Sequence, residues 1–251
     1  MTVPLITDAF FYAVAIPAVL LLGVSKSGFG AGFGSLAVPI MALAVTVPEA
    51  AAILMPVLFL MDVLGMAAFR RDFDLALLKF LIPCGLVGVV AGALLFKLLS
   101  AHTVAAMVGG FTLLFLAQRL LLAPKPGSAP PPKWLGALLT AMSGFTSFIA
   151  HAGGPPISAY VIPLRLSPVK FTATMAFYFF VINLAKWIPY GLLGLLDWRN
   201  MVTSLALLPL APIGVWAGVR LARRISQAWF YRFLYLGMFL TGVKLLWDGL
   251  H

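Results

Sequence analysis

The apolar run from Ala9 to Val47 is broken in its middle by Ser25-Lys26-Ser27-Gly28-Phe29-Gly30-Ala31-Gly32-Phe33-Gly34-Ser35. That interruption limits what the chain can fold into. Each glycine costs a helix roughly 1 kcal/mol against alanine, and the lysine stands where hydrocarbon should be. A second stretch, Ser143-Gly144-Phe145-Thr146-Ser147-Phe148-Ile149-Ala150-His151-Ala152-Gly153-Gly154-Pro155-Pro156, echoes it. Ser-Gly-Phe recurs, and a proline follows at the same distance in both (Ser27 to Pro39, Ser143 to Pro155).

Composition sets the solvent. The chain is 63% hydrophobic and 10% charged, whereas soluble domains average about 25% charged residues. Apolar segments follow one another at Ala9–Val47, Ala50–Phe69, Leu75–Leu99, Thr103–Ala123, Trp134–Pro163, Phe171–Gly194, Val202–Leu221 and Trp229–Leu246. Most are long enough to cross a bilayer as helices, and the alternating polarity of a transmembrane barrel is missing. The fold class expected is an all-α integral membrane protein. Asp8 is the only charge before Lys26, so the first run reads as a retained segment and not as a cleaved signal. Cys84 is alone, which excludes an intrachain disulfide and a cysteine metal cluster. The net charge of +10 lies in short loops, where it orients a membrane protein; no nucleic-acid partner is implied.

The chain divides near its middle. Pro124 to Lys133 is a proline-rich linker between a first repeat, residues 1–123, and a second, residues 134–251. Pro83, Gly88, Val89, Ala91, Gly92, Leu95 and Ser100 align without a gap on Pro209, Gly214, Val215, Ala217, Gly218, Leu221 and Ser226, and Pro48 answers Pro168. Gly88/Gly92 and Gly214/Gly218 are small-xxx-small pairs and are assigned to helix packing.

Topology follows from the basic residues. If each interrupted segment crossed fully, Lys and Arg would be split almost evenly between the two sides. If each is a re-entrant hairpin of two half-helices, only Lys97, Arg199 and Lys244 oppose the remaining loop Lys and Arg residues. The positive-inside rule selects the hairpins. Each half is then one re-entrant helical hairpin plus three transmembrane helices. Three is odd, so the two repeats are inverted, both termini lie outside, and the tips meet near the bilayer centre.

Ionisable residues inside crossings are functional candidates: Lys26, Asp62, His151 and Lys186. Lys26 and Lys186 could instead snorkel, with Trp187 as an interfacial anchor. Asp62 pairs with Lys26 or Lys186, or takes up a proton; Asp62 or His151 is expected to couple transport to protons, and Asp62, Asn183 and Lys186 are coupling or supporting candidates. A new helix beginning at a hairpin tip offers unpaired N–H groups to an anion. Gly28, Gly30, Gly32, Gly34, Gly153 and Gly154 allow close backbone approach, and Ser25, Ser27, Ser35, Ser143, Thr146 and Ser147 add hydroxyls. The residues point to a small oxyanion. A P-loop, a dinucleotide fingerprint and a divalent-metal carboxylate cluster are all missing.

Gly28 to Gly34 with Pro39, and Ser143-Gly144-Phe145 with His151-Ala152-Gly153-Gly154-Pro155-Pro156, resemble the sulfite exporter TauE/SafE family, also called the toluene-sulfonate uptake permease family. The resemblance covers nearly the whole chain. It implies a multi-pass transporter of the bacterial cytoplasmic membrane for sulfite or organosulfonates, described in the family as exporters or uptake permeases; export is the direction expected. The second tip departs from the first by having Thr146 to Ile149 where the first is glycine-rich. The expected activity is secondary transport by alternating access, not catalysis, with no cofactor and no metal. The expected partners are the anion and the bilayer, with a homodimer left open. A passive anion channel, or an intramembrane hydrolase using Ser143 and His151, are the alternatives.

Overall fold

The computed structural model describes residues 5–29, 34–96, 98, 100–121 and 130–250. Gly30, Gly32 and most of the proline-rich linker therefore lie outside the described residues. Among those described, all regular structure is helical. Helix α1 (Ala9–Val24) continues into a π-helical turn (Ser25–Phe29), and a 3-10 turn (Gly34–Leu36) leads into α2 (Ala37–Met41). Then come α3 (Val47–Ala68), α4 (Leu75–Leu95), α5 (Ala101–Leu121), α6 (Lys133–Ala150) and α7 (Gly154–Val161). The chain ends with α8 (Pro168–Leu192), α9 (Trp198–Leu207), α10 (Leu210–Ala222) and α11 (Gln227–Leu250).

Short polar residues set the helix starts. The side chains of Asp8, Thr46, Asp74, Ser167 and Asp197 accept hydrogen bonds from the first-turn N–H groups of α1, α3, α4, α8 and α9. Pro48 and Pro168 stand in the first turns of α3 and α8, where a missing N–H costs nothing. Asp74 does more than cap α4. Its carboxylate holds Lys170 Nζ at 2.9 Å, and its backbone N–H donates to Thr174 Oγ1 at 3.0 Å, tying the loop to α8.

Five helical stretches are long and apolar enough to cross a membrane: Ala9–Gly28, Pro48–Ala68, Leu75–Leu95, Pro168–Leu192 and Ala228–Leu250. The joined α9 and α10 make a sixth if taken as one span bent by 50°. The apolar segment Val202–Leu221 falls on this bent pair. Proline at position 209 has no N–H for the carbonyl four residues back, and the helix breaks there, whereas α4 runs unbroken through Pro83. Exposed Leu94, Leu114, Ile188 and Leu192 form an apolar exterior, and exposed Trp134, Trp198, Trp229 and Trp247 lie near helix ends.

Both interrupted segments double back. Gly34 lies against Leu22 and Ser25 of the outgoing limb. Likewise Gly153 lies against Ser143 and Ser147, and the Tyr160 ring lies over Gly136, so α7 runs antiparallel to α6. The limbs are unequal in length. Ala9–Gly28 is 20 residues, about 30 Å at 1.5 Å per residue, and α6 is 18 residues, while α7 has 8.

Glycine seams join the two halves. Gly23 and Gly28 of the first outgoing limb meet Gly214 and Gly218 of α10. Gly144 of α6 meets the Gly85 backbone of α4, and Gly88 and Gly92 meet Ala141, Phe145 and Phe148. The packing role assigned to Gly88/Gly92 and Gly214/Gly218 is what they perform. Elsewhere α5 and α11 pack through Gly109 on Leu246 and Gly249 on Ala106, so they run antiparallel. The same holds for α3 and α8, where Gly65 meets Ala176 and Phe59 meets Trp187.

Two predictions follow from these contacts. A Cβ on Gly144 would collide with the Gly85 carbonyl, while one on Gly191 would meet nothing within 4 Å. Gly144→Ala should lower the thermal unfolding midpoint in detergent by several degrees, and Gly191→Ala should leave it unchanged or raise it. The N–H of Leu77, then Lys170, hold the Asp74 carboxyl below its ordinary range. A depressed carboxyl stabilises the fold above its unfolded value and loses that contribution as pH falls through the folded value. Wild type should therefore lose stability below about pH 4 by more than Asp74→Asn does, measured as unfolding midpoint against pH.

Candidate functional site

The buried ionisable residues converge where α3 and α8 cross beside the π-helical turn and the end of α6. A π turn carries one extra residue per turn, an irregularity frequent at functional sites. Here it carries Lys26 inward. Lys26 Nζ forms an ion pair with Asp62 Oδ1 and lies 5.8 Å from the centre of the Phe179 ring. Asp62 is 1% exposed, so Lys26 does not snorkel to an interface. The other carboxylate oxygen, Oδ2, accepts from Asn183 Nδ2 at 2.5 Å. Of the two partners foreseen for Asp62, the structure pairs it with Lys26.

Lys186 follows Asn183 by one turn on α8 and is 0% exposed. Its Nζ lies 2.9 Å from the Ser147 carbonyl, 3.1 Å from Ser147 Oγ and 2.8 Å from His151 Nδ1. No carboxylate pairs with it among the described residues. This lysine, too, is an interior group. Trp187 packs edge-on against Phe59 at 5.9 Å.

His151 caps α6 in the left-handed region, at φ 51° and ψ 24°, where glycine is the usual residue. A side chain there costs roughly 1–2 kcal/mol. The geometry aims the imidazole across to α3, where Nε2 lies 2.9 Å from the Ala51 carbonyl. A carbonyl can only accept, so Nε2 carries the hydrogen and Nδ1 presents its lone pair to Lys186. Tyr190, one turn beyond Lys186, stacks on the imidazole with ring centres 6.1 Å apart and donates its hydroxyl to the Phe148 carbonyl at 2.6 Å.

The remaining predicted residues build the frame. Ser143 Oγ donates to the Gly153 carbonyl at 2.6 Å, and Thr146 Oγ1 donates to the Ala152 carbonyl at 3.0 Å, closing the turn between α6 and α7. Gly153 fits against Ser143 and Ser147 with no room for a Cβ, and Gly154 opens α7. Ser25 and Ser27 are buried in the π turn. Gly28 packs on Gly218 and accepts from Thr172 Oγ1 at 3.3 Å. With Ser143 bonded to Gly153, and His151 held by Ala51 and Lys186, the serine–histidine pair of a hydrolase is not made.

Sequence reasoning missed the Ala51 and Phe148 carbonyls, Thr172 and Tyr190. Tyr190 had a signal, its four-residue spacing from Lys186. The backbone groups had none.

Removing one member of a buried ion pair strands the other and costs about 3–5 kcal/mol. Lys26→Met should destabilise strongly in detergent unfolding. Lys26→Met/Asp62→Asn should recover most of that loss; a double mutant no better than the single would disprove the coupling.

The family model described as Sulfite exporter TauE/SafE matches residues 15–245. Searches of curated proteins and of solved structures returned no match. With that match over nearly its whole length, and with a membrane-length set of apolar helices around a buried cationic centre, the chain belongs to the sulfite exporter TauE/SafE family, a family of membrane transporters.

Proposed function

We propose that the chain is a secondary transporter of a small sulfur-containing anion, sulfite or an organosulfonate, working by alternating access in the bacterial cytoplasmic membrane. The observation that carries this reading is the charge at the centre. Two buried lysines face one carboxylate, and Lys186 has hydrogen bonds but no counter-ion among the described residues. An isolated ammonium in a low-dielectric interior is costly, and an oxyanion beside Lys186 stabilises its charged form. The cargo's sulfur class rests on the family.

The inverted-repeat arrangement is part of the proposal. Equivalent helices of the two halves, α3 with α8 and α5 with α11, pair antiparallel. The first limb's seam with α10 is matched by that of α6 with α4. Both features support two re-entrant hairpins entering from opposite faces, with the termini outside and residues 1–123 and 134–251 as the two moving halves. Lys26 and Gly28 of the first tip, with Thr146, Gly153 and Gly154 of the second, shape the approach to Lys186. Asp62 and Asn183 hold Lys26 until the halves rearrange.

Proteoliposomes loaded with protein should take up or release sulfite and alkanesulfonates faster than empty vesicles. Lys186→Met should reduce that flux at least tenfold, while Lys244→Met, at a half-exposed pair with Asp248, should not change it. Equal flux in Lys186→Met and wild type would remove Lys186 from the path.

A further inference from the structure

Three atoms surround the Lys186 nitrogen, and their chemistry is unequal. The Ser147 carbonyl can only accept a hydrogen bond, and His151 Nδ1 accepts because Nε2 is committed to Ala51. Ser147 Oγ can accept or donate. A neutral amine has two N–H donors and one lone pair. In this cradle it is fully satisfied: it donates to the carbonyl and to His151, and it receives the Ser147 hydroxyl. An ammonium is satisfied as well, since all three contacts then accept and the Ser147 hydroxyl hydrogen is released. The cradle holds either protonation state, and the difference between them is the direction of one hydroxyl.

We infer that Lys186 takes up one proton with each anion it receives, so that the cargo is an anion and a proton together. The inference rests on the transport reading above and names the residue that carries the proton. The step balances: amine, aqueous proton and aqueous sulfonate give an ammonium–sulfonate pair on one side, and the same three species are released on the other. The hydroxyl freed from the amine lone pair becomes a donor for a sulfonate oxygen. Arrival of the anion thus both stabilises the proton and supplies itself with a second hydrogen bond.

The groups acting on Lys186 from its surroundings are limited. Lys26 faces it from the π turn, Asp62 from α3 and His151 from the end of α6; on α8 itself, Tyr190 stacks on His151. Helix α4 contributes Cys84, which is partly buried. On α10, Arg223 is bound to the Ala68 carbonyl and Asp72. Lys26 and Asp62 neutralise each other, and both His151 nitrogens are occupied. Lys186 is left as the group whose charge can change without breaking a bond.

The test is calorimetric titration of the purified protein with ethanesulfonate, a permanent monoanion, in buffers of different ionisation enthalpy. Sulfite is unsuitable because it titrates itself. Wild type should take up about one proton per anion bound. Lys186→Arg, permanently charged, should bind with no proton uptake. Binding by wild type without proton uptake overturns this inference and leaves the transport reading standing. Uptake that persists in Lys186→Arg assigns the proton elsewhere and also overturns it. No binding of either sulfite or ethanesulfonate overturns both. Should Lys186→Arg fail to fold, nitrogen-15 lysine spectra of wild type decide the matter. The resonance missing from Lys186→Met must shift from amine to ammonium on adding ethanesulfonate, and a resonance that stays put refutes the inference.

Discussion

A lysine with no carboxylate opposite it among the described residues, enclosed by apolar helices, is the constraint on which the rest of this molecule depends. Water cannot solvate it, and the cost of an isolated ammonium in such surroundings runs to several kcal/mol. The polar groups in contact with it are accordingly held in place. His151 is fixed by a carbonyl of α3 and Ser147 lies within α6, while the nearby Lys26 is balanced by Asp62, whose other oxygen accepts from Asn183. The second lysine is left to its hydrogen bonds alone.

Close backbone approach makes such a centre buildable. Helices in lipid gain little from apolar contact with one another and associate through packing and interhelical hydrogen bonds. Gly23 on Gly214 and Gly144 on Gly85 bring whole backbones together. That proximity lets side-chain donors reach main-chain carbonyls on neighbouring helices. His151 reaches Ala51, Ser204 reaches Ile53 and Tyr190 reaches Phe148. In α3, Ala51 and Ile53 flank Ala52, whose carbonyl has no ladder partner because Pro56, four residues on, lacks an N–H. The irregular stretch of α3 thus faces protein and not lipid, as the bilayer demands.

Much of this was legible in the sequence, because lipid narrows the alternatives. Apolar length gave the helices, Asp8, Thr46, Asp74, Ser167 and Asp197 mark their starts, and the four ionisable residues inside crossings are those that the fold gathers. What escaped was of two kinds. Pro83 and Pro209 are equivalent in the repeat alignment, yet only Pro209 divides its helix; sequence shows the missing N–H but not what surrounds it. Main-chain partners such as Ala51 carry no side-chain signature at all. Lys186 looked like a snorkelling residue because it lies toward the end of its apolar run. Helix α8 extends to Leu192, and Tyr190 beyond it faces inward, so the lysine stays inside.

The crossing of each outgoing limb onto the opposite half has a consequence for biosynthesis. The groove that receives Gly23 and Gly28 belongs to α10, almost the whole chain later. While the ribosome is still translating the second half, the nascent first limb holds a lysine, Gly23 and Gly28 with its clasp unmade. Asp62, on α3, is the earliest group able to neutralise that lysine. An unfinished chain must survive on this one contact, shielded by whatever insertion machinery holds it, until α10 emerges and closes the seam.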